Sequence, residues 1–257
     1  MKKILLISFL PAIFALWTFT SCSGDGQTEE PEVEVSKVSN PNNPYDYIGA
    51  LHNKALTMAI QMGSTKGFTG KNAIENALIA SEEVLAQYET TKSYELDLTD
   101  QEIEELERLF NLMINDINNG LENYINSLDI SSSVKSYMIS IFRDVANLND
   151  PVPESIINNV LDFENKIIFE EPLLTPDDQA AILSTTATLR YSCDFWNNEL
   201  AVTRAKLRWW QYLVVIVSDA GGALAGSAGG AATAVSVGVA ASNFANTVMK
   251  DLNTEEK

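Results

Sequence analysis

The chain has 257 residues, of which 35 are Asp or Glu and 17 are Lys or Arg, for a formal charge of −18. A surface this acidic repels phosphate backbones, so nucleic acid is not expected as a partner. With 46% of residues apolar there is material for a real core, in one large domain or two small ones. Residues 1–21 read as a secretory signal peptide. Lys2 and Lys3 precede an apolar run from Ile4 to Phe19, interrupted only by Ser8, Pro11 and Thr18. That run is too short and wrongly flanked for a permanent anchor.

The segment closes on Phe19-Thr20-Ser21-Cys22, small residues directly before a cysteine. It resembles the type II signal of bacterial lipoproteins, in the looser form found in Bacteroidota, with Phe19 where Leu is usual. The resemblance implies that Cys22 becomes the acylated N-terminus, that the lipid bilayer is a partner through it, and that the protein sits on the outer membrane, periplasmic or surface-exposed. Ser23, not Asp, follows the cysteine, so the pattern of inner-membrane retention is absent. Loss of Lys2 and Lys3 would carry the charge to −20. With Cys22 acylated, Cys193 is alone and no intramolecular disulfide forms.

Residues 22–43 read as the acylated cysteine and a disordered tether. Gly24, Asp25 and Gly26, the acids of Glu29 to Glu34, and Asn40-Pro41-Asn42-Asn43 have little to bury. At about 3.3 Å per residue, residues 23–43 would hold a domain up to roughly 70 Å from the lipid.

From residue 44 to 250 the expectation is one all-α domain, a bundle or array of about seven to nine helices closed by a Gly/Ala-rich hairpin, with a disordered tail at 251–257. Asn43-Pro44 offers a cap and a proline at the first helical position, opening a helix to about Met62, and Gly63, Gly67 and Gly70 end it. A second helix spans about 72–88. Thr99 and Glu102 form a capping box ahead of Ile103, Leu106, Phe110 and Met113 at three- and four-residue spacing. Gly120 interrupts before a short helix at 121–128. Ser131 to Ser133 cap the next, Pro153-Glu154 opens another to about Phe169, and Thr175-Pro176-Asp177-Asp178 starts a run without a breaker to about residue 217.

Few residues suggest chemistry. His52 is the single histidine, and a nucleophilic pair with Cys193 is conceivable, though no cysteine-protease signature surrounds Cys193. Two such side chains are too few for zinc, and Asp144-x-x-Asn147-x-Asn149-Asp150 lacks the alternation and glycine of a calcium loop. The acids from Asp97 to Glu107 read as a wet helix face. The glycines after Val214–Val217 miss the dinucleotide spacing, with too little chain following. No catalytic residue, cofactor or metal is assigned, and a hydrolase is the weakest reading.

Residues 209–249 stand apart, with Asp219 as their only charge. Gly222, Gly226 and Gly230 recur every four residues, with Gly221, Ala225 and Gly229 beside them. These rows are similar to the glycine zippers of bacterial envelope proteins, where small residues let helices approach closely. Arg204, Lys206, Arg208, Trp209, Trp210 and Tyr212 precede them like an interfacial belt. The opening Pro44-Tyr-Asp-Tyr-Ile-Gly-Ala-Leu-His52-Asn53 is similar to uncharacterised exported lipoproteins of Bacteroidota, which implies no activity. Two functions compete: a non-catalytic, membrane-tethered protein that binds another envelope or extracellular protein, and a membrane-active protein whose C-terminal hairpin inserts.

Overall fold

The computed structural model describes residues 37–66, 70–88, 98–115, 120–148, 152–203 and 209–255. Cys22 and residues 1–21, read as a signal peptide, lie outside them, as do Arg204, Lys206 and Arg208. The described residues are all-α, with nine helices and no strand. These are α1 (Asp46–Lys66), α2 (Gly70–Leu85), α3 (Asp100–Asn115), α4 (Gly120–Ser127), α5 (Ser132–Ala146), α6 (Pro153–Glu170), α7 (Pro176–Thr203), α8 (Trp209–Ser227) and α9 (Ala231–Glu255).

Several starts follow from local chemistry. Glu102 Oε2 accepts from the Thr99 N–H at 2.8 Å, and Thr99 Oγ1 accepts from the Glu102 N–H at 3.4 Å, closing a reciprocal box ahead of α3. Ser131 Oγ accepts from the Val134 N–H at 3.1 Å and caps α5. Thr175 Oγ1 accepts from the Asp178 N–H at 3.1 Å, and Pro176 opens α7.

Other boundaries differ from expectation. Asn43 caps a turn rather than a helix: its Oδ1 accepts from the Tyr45 N–H at 2.8 Å, and α1 begins three residues later, at Asp46. The disordered tether expected over 22–43 does not extend to residue 43, because Val38, Asn40 and Asn43 are buried. Helix α1 runs through Gly63, and α9 continues to Glu255, past the expected end at 250. The expected single run of 176–217 is two helices, α7 and α8, with 204–208 between them outside the described residues.

Helix α7 packs against α1, α6 and α8, and α9 lies on α8, α2 and α1. These central helices are buried on nearly every side: residues 182–193 of α7, 211–224 of α8 and 234–247 of α9 are all buried. A helix enclosed all round shows no polar stripe, so the amphipathic signal clear in α3 fades in α7 to α9. Their polar residues turn inward instead. Hydroxyls of Thr185, Thr186 and Thr188 in α7, and of Ser236 and Thr247 in α9, donate to carbonyls four residues back. Each of these five hydroxyls is thereby satisfied within its own helix.

The α8–α9 hairpin separates the three zipper glycines. A Cβ on Gly222 would sit 2.6 Å from the Val237 carbonyl oxygen and 2.7 Å from Ala241 Cβ. One on Gly226 would overlap the Thr233 carbonyl and sit 2.8 Å from Ala234 Cα. Both glycines therefore lie where the backbone of α9 crosses α8. Gly230 does not. It occupies the turn between the helices at φ 90°, with nothing within 4 Å of where its Cβ would be. Glycine is required there by backbone conformation rather than by packing.

Candidate functional site

Two buried polar clusters lie along α7. Arg190 and Ser192 are two positions apart, about 200° around a helix, and so serve opposite neighbours.

The first cluster fastens the N-terminal segment. Arg190, fully buried, donates from Nη2 to Asp46 Oδ1 at 2.5 Å and from Nε to Glu164 Oε1 at 3.1 Å. Asn40 Nδ2 donates to Glu164 Oε2 at 2.7 Å. Ser39 Oγ and the Tyr191 hydroxyl each donate to Asp46 Oδ2 at 2.9 Å, and the Asn40 N–H donates to Oδ1 at 3.1 Å. One guanidinium thus joins α1, α6 and α7 and holds residues 39–40 against them. Burial raises the Glu164 carboxyl above the usual carboxylate range, partly offset by Arg190 and Asn40. Burial and the Asp46 charge push the Tyr191 phenol up to about 12.

The second cluster lies between α7, α8 and α9. Ser192 Oγ and Trp196 Nε1, one helical turn apart on α7, both donate to Asp219 Oδ2 on α8, the latter at 3.1 Å. Ser242 of α9 faces the same carboxyl, yet Asp219 Oδ1 and Ser242 Oγ complete no hydrogen bond. Burial pushes Asp219 up to about 7, against the pull of those donors.

His52 of α1 is fully buried against α9, its Cδ2 3.2 Å from where a Gly238 Cβ would lie. Its Nδ1 is 3.1 Å from Asn53 Oδ1, and its Nε2 faces Gly238 without completing a hydrogen bond. Burial pulls its pKa down to about 4. At neutral pH the imidazole is uncharged.

Cys193 is also buried, and its thiol is pushed far up by burial, so the thiolate is not formed. The Tyr212 hydroxyl donates to the Cys193 carbonyl at 2.8 Å. The groups acting on Cys193 are Tyr212, Asp219, Asp194 and Arg190, whereas those acting on His52 are Asn53 and Gly238. The nucleophilic pair is not assembled. Among the described residues no set of His, Cys, Asp or Glu converges as metal ligands; Asn149 and Asp150 of the acidic loop lie outside them. No described helix is long and apolar enough to cross a membrane. A shallow groove between α4, α5 and α8 is lined by Leu121, Ile125, Phe142, Leu213 and Val217, with the Glu122–Arg143 ion pair at its rim.

The chain matches no family model, no curated protein and no solved structure.

The sequence named His52, Cys193 and Asp219 but not the Asp46–Arg190–Glu164 cluster. A hint was available: Arg190 is the single cation in α7, within a stretch of hydroxyl and apolar residues. A lone charge in such a stretch needs a buried counter-charge.

Proposed function

We propose that the chain is a lipid-anchored, non-catalytic helical protein of the bacterial cell envelope. It is tethered through acylated Cys22 to the outer membrane and offers its acidic body to another envelope or extracellular protein. The observation that carries this reading is the clasp of Asp46, Arg190 and Glu164, which fixes Ser39 and Asn40 to three helices. An anchored domain needs such a fastening where its tether enters, since any pull on the tether is delivered at that point. With 39–40 held, a tether from Cys22 would end before Ser39 rather than at residue 43.

The insertion reading has less support, because the small-residue faces of α8 and α9 are spent on each other and on α1, α2 and α7. The test is metabolic labelling with an alkyne fatty acid, followed by fractionation. The parent chain should be labelled and sediment with membranes, and Cys22→Ala should lose both properties. A Cys22→Ala chain that stays labelled and membrane-bound after alkaline carbonate extraction would overturn the anchor and favour insertion.

A further inference from the structure

The α8–α9 hairpin sits in the centre of the bundle, and two ionisable side chains meet it there. Asp219 belongs to α8 and is gripped by α7; His52 comes from α1 and lies against α9. Both are fully buried. Each leaves one polar atom, Asp219 Oδ1 and His52 Nε2, without a hydrogen bond. Neither acts on the other electrostatically, so the two do not form an ion pair.

Among the described residues no compensating charge acts on either side chain. The ionisable groups that Asp219 acts on are Cys193 of α7 and Tyr212 of its own helix, each also acted on by Asp194. Cys193 and Tyr212 are held protonated by burial. Arg190 of α7 is engaged by Asp46 and Glu164. From α4 the Tyr124 hydroxyl reaches the Gly221 carbonyl at 3.2 Å and carries no charge. The residues of α9 from 231 to 249 include no ionisable group. Around His52 the nearest partners are the Asn53 amide and the backbone of Gly238.

We propose that His52 and Asp219 make the seating of the α8–α9 hairpin a two-sided proton switch: the hairpin is seated when both side chains are neutral. Charging His52 in acid, or Asp219 in base, then loosens it ahead of α5 and α6.

The two sides carry opposite signs. Asp219 has a folded pKa of about 7, raised from 3.8. Its stabilising contribution is complete below about pH 4 and is lost as pH rises to about 7. His52 has a folded pKa of about 4, lowered from 6.5. Its contribution is complete above about pH 6.5 and is lost as pH falls to about 4. Each changes the unfolding constant up to about tenfold per pH unit within its window. Between about pH 4 and 6.5 the two slopes oppose each other, so the parent protein hides them both. Glu164 adds a slope of the same sign as Asp219, common to parent and variants, which differences between them remove.

The test uses the chain from residue 23 onward, which contains every described residue. Urea unfolding is measured from pH 4.5 to 7.5 for the parent, Asp219→Asn and His52→Gln. Asn at 219 keeps an acceptor for Ser192 and Trp196 and places a neutral amide where the protonated oxygen lies. Relative to the parent, Asp219→Asn should leave the His52 slope exposed, its unfolding constant rising as pH falls from 6.5. His52→Gln should show the reverse, rising as pH climbs toward 7. Hydrogen exchange should locate these changes in α8 and α9 before α5 and α6. Should His52→Gln not fold, the single imidazole gives one NMR titration in the parent, expected near pH 4. Parallel pH profiles for parent and variants, exchange that changes evenly across all helices, or an imidazole titrating near 6.5, would each overturn the switch.

Discussion

At Gly226 the space for a side chain is occupied by backbone. A Cβ there would overlap the Thr233 carbonyl, which belongs to the first turn of α9 and cannot rotate aside. At Gly221, one helical face away, a Cβ would lie 2.6 Å from Met113 Sδ, the far end of a flexible chain. Mid-helix Gly→Ala otherwise gains about 1 kcal/mol of propensity. Gly221→Ala should therefore be neutral or slightly stabilising, since Met113 adapts. Gly226→Ala should be destabilising, with overpacking of about 1–3 kcal/mol exceeding the gain. Thermal unfolding of the two variants beside the parent decides it, and a Gly226→Ala protein that melts at or above the parent temperature would mean that α9 does not press on that row. Spacing alone grouped Gly230 with Gly222 and Gly226. Periodicity carries no mark of where a helix stops, and Gly230 falls four residues on, past the end of α8, at a positive φ.

At the scale of elements, what sequence discloses is local. The Thr99–Glu102 box, the Ser131 cap and the Thr175-Pro176 start each depend on residues within three or four positions, and they form as read. The division of 176–217 into α7 and α8 was not legible, because no glycine or proline marks it. Nor was the burial of α7, whose threonines and serines bond back to their own helix and pass for surface residues. The clasp was hidden for a further reason: Asp46, Glu164 and Arg190 are up to 144 positions apart, and among 35 acids nothing singles out the two that meet the arginine. Its role can be tested through Asp46→Ala. The substitution removes one arm from Arg190 and the acceptor of Ser39, Asn40 and Tyr191 together. Breaking a buried pair this way typically costs about 3–5 kcal/mol. The expected result is a loss of that order in urea unfolding, with hydrogen exchange of residues 37–45 rising more than that of α5. If exchange there is unaltered, the N-terminal segment is held by something other than the clasp.

For the molecule as a whole the question is whether the nine described helices unfold as one. The long helices share partners: α7 touches α1, α5, α6, α8 and α9, and α9 touches α1, α2, α3, α7 and α8. No described helix can be withdrawn from the centre without uncovering several others. Helices α4 to α6 touch fewer neighbours than α7 and α9 and form the outer part. Cys193 offers a way to measure this coupling, because it lies in the centre of α7 and its backbone carbonyl is held by Tyr212 of α8. Once Cys22 is absent or acylated it is the single thiol in the chain. A thiol reagent reaches it only if α7 and α8 part, and burial keeps it protonated and unreactive until then. In the chain from residue 23 onward, at about pH 5.5 where both side chains are neutral and the hairpin is seated, labelling by a disulfide reagent should proceed through global opening. Its apparent free energy should then match that from urea unfolding, and both should fall together in Gly226→Ala. Labelling that is much faster than global unfolding predicts, with α5 and α6 still protected from exchange, would divide the molecule into two units. Since the hairpin switch has α8 and α9 loosen first once Asp219 is charged, raising the pH from there toward 8 should open a gap between thiol labelling and α5–α6 exchange. Asp219→Asn should close it again.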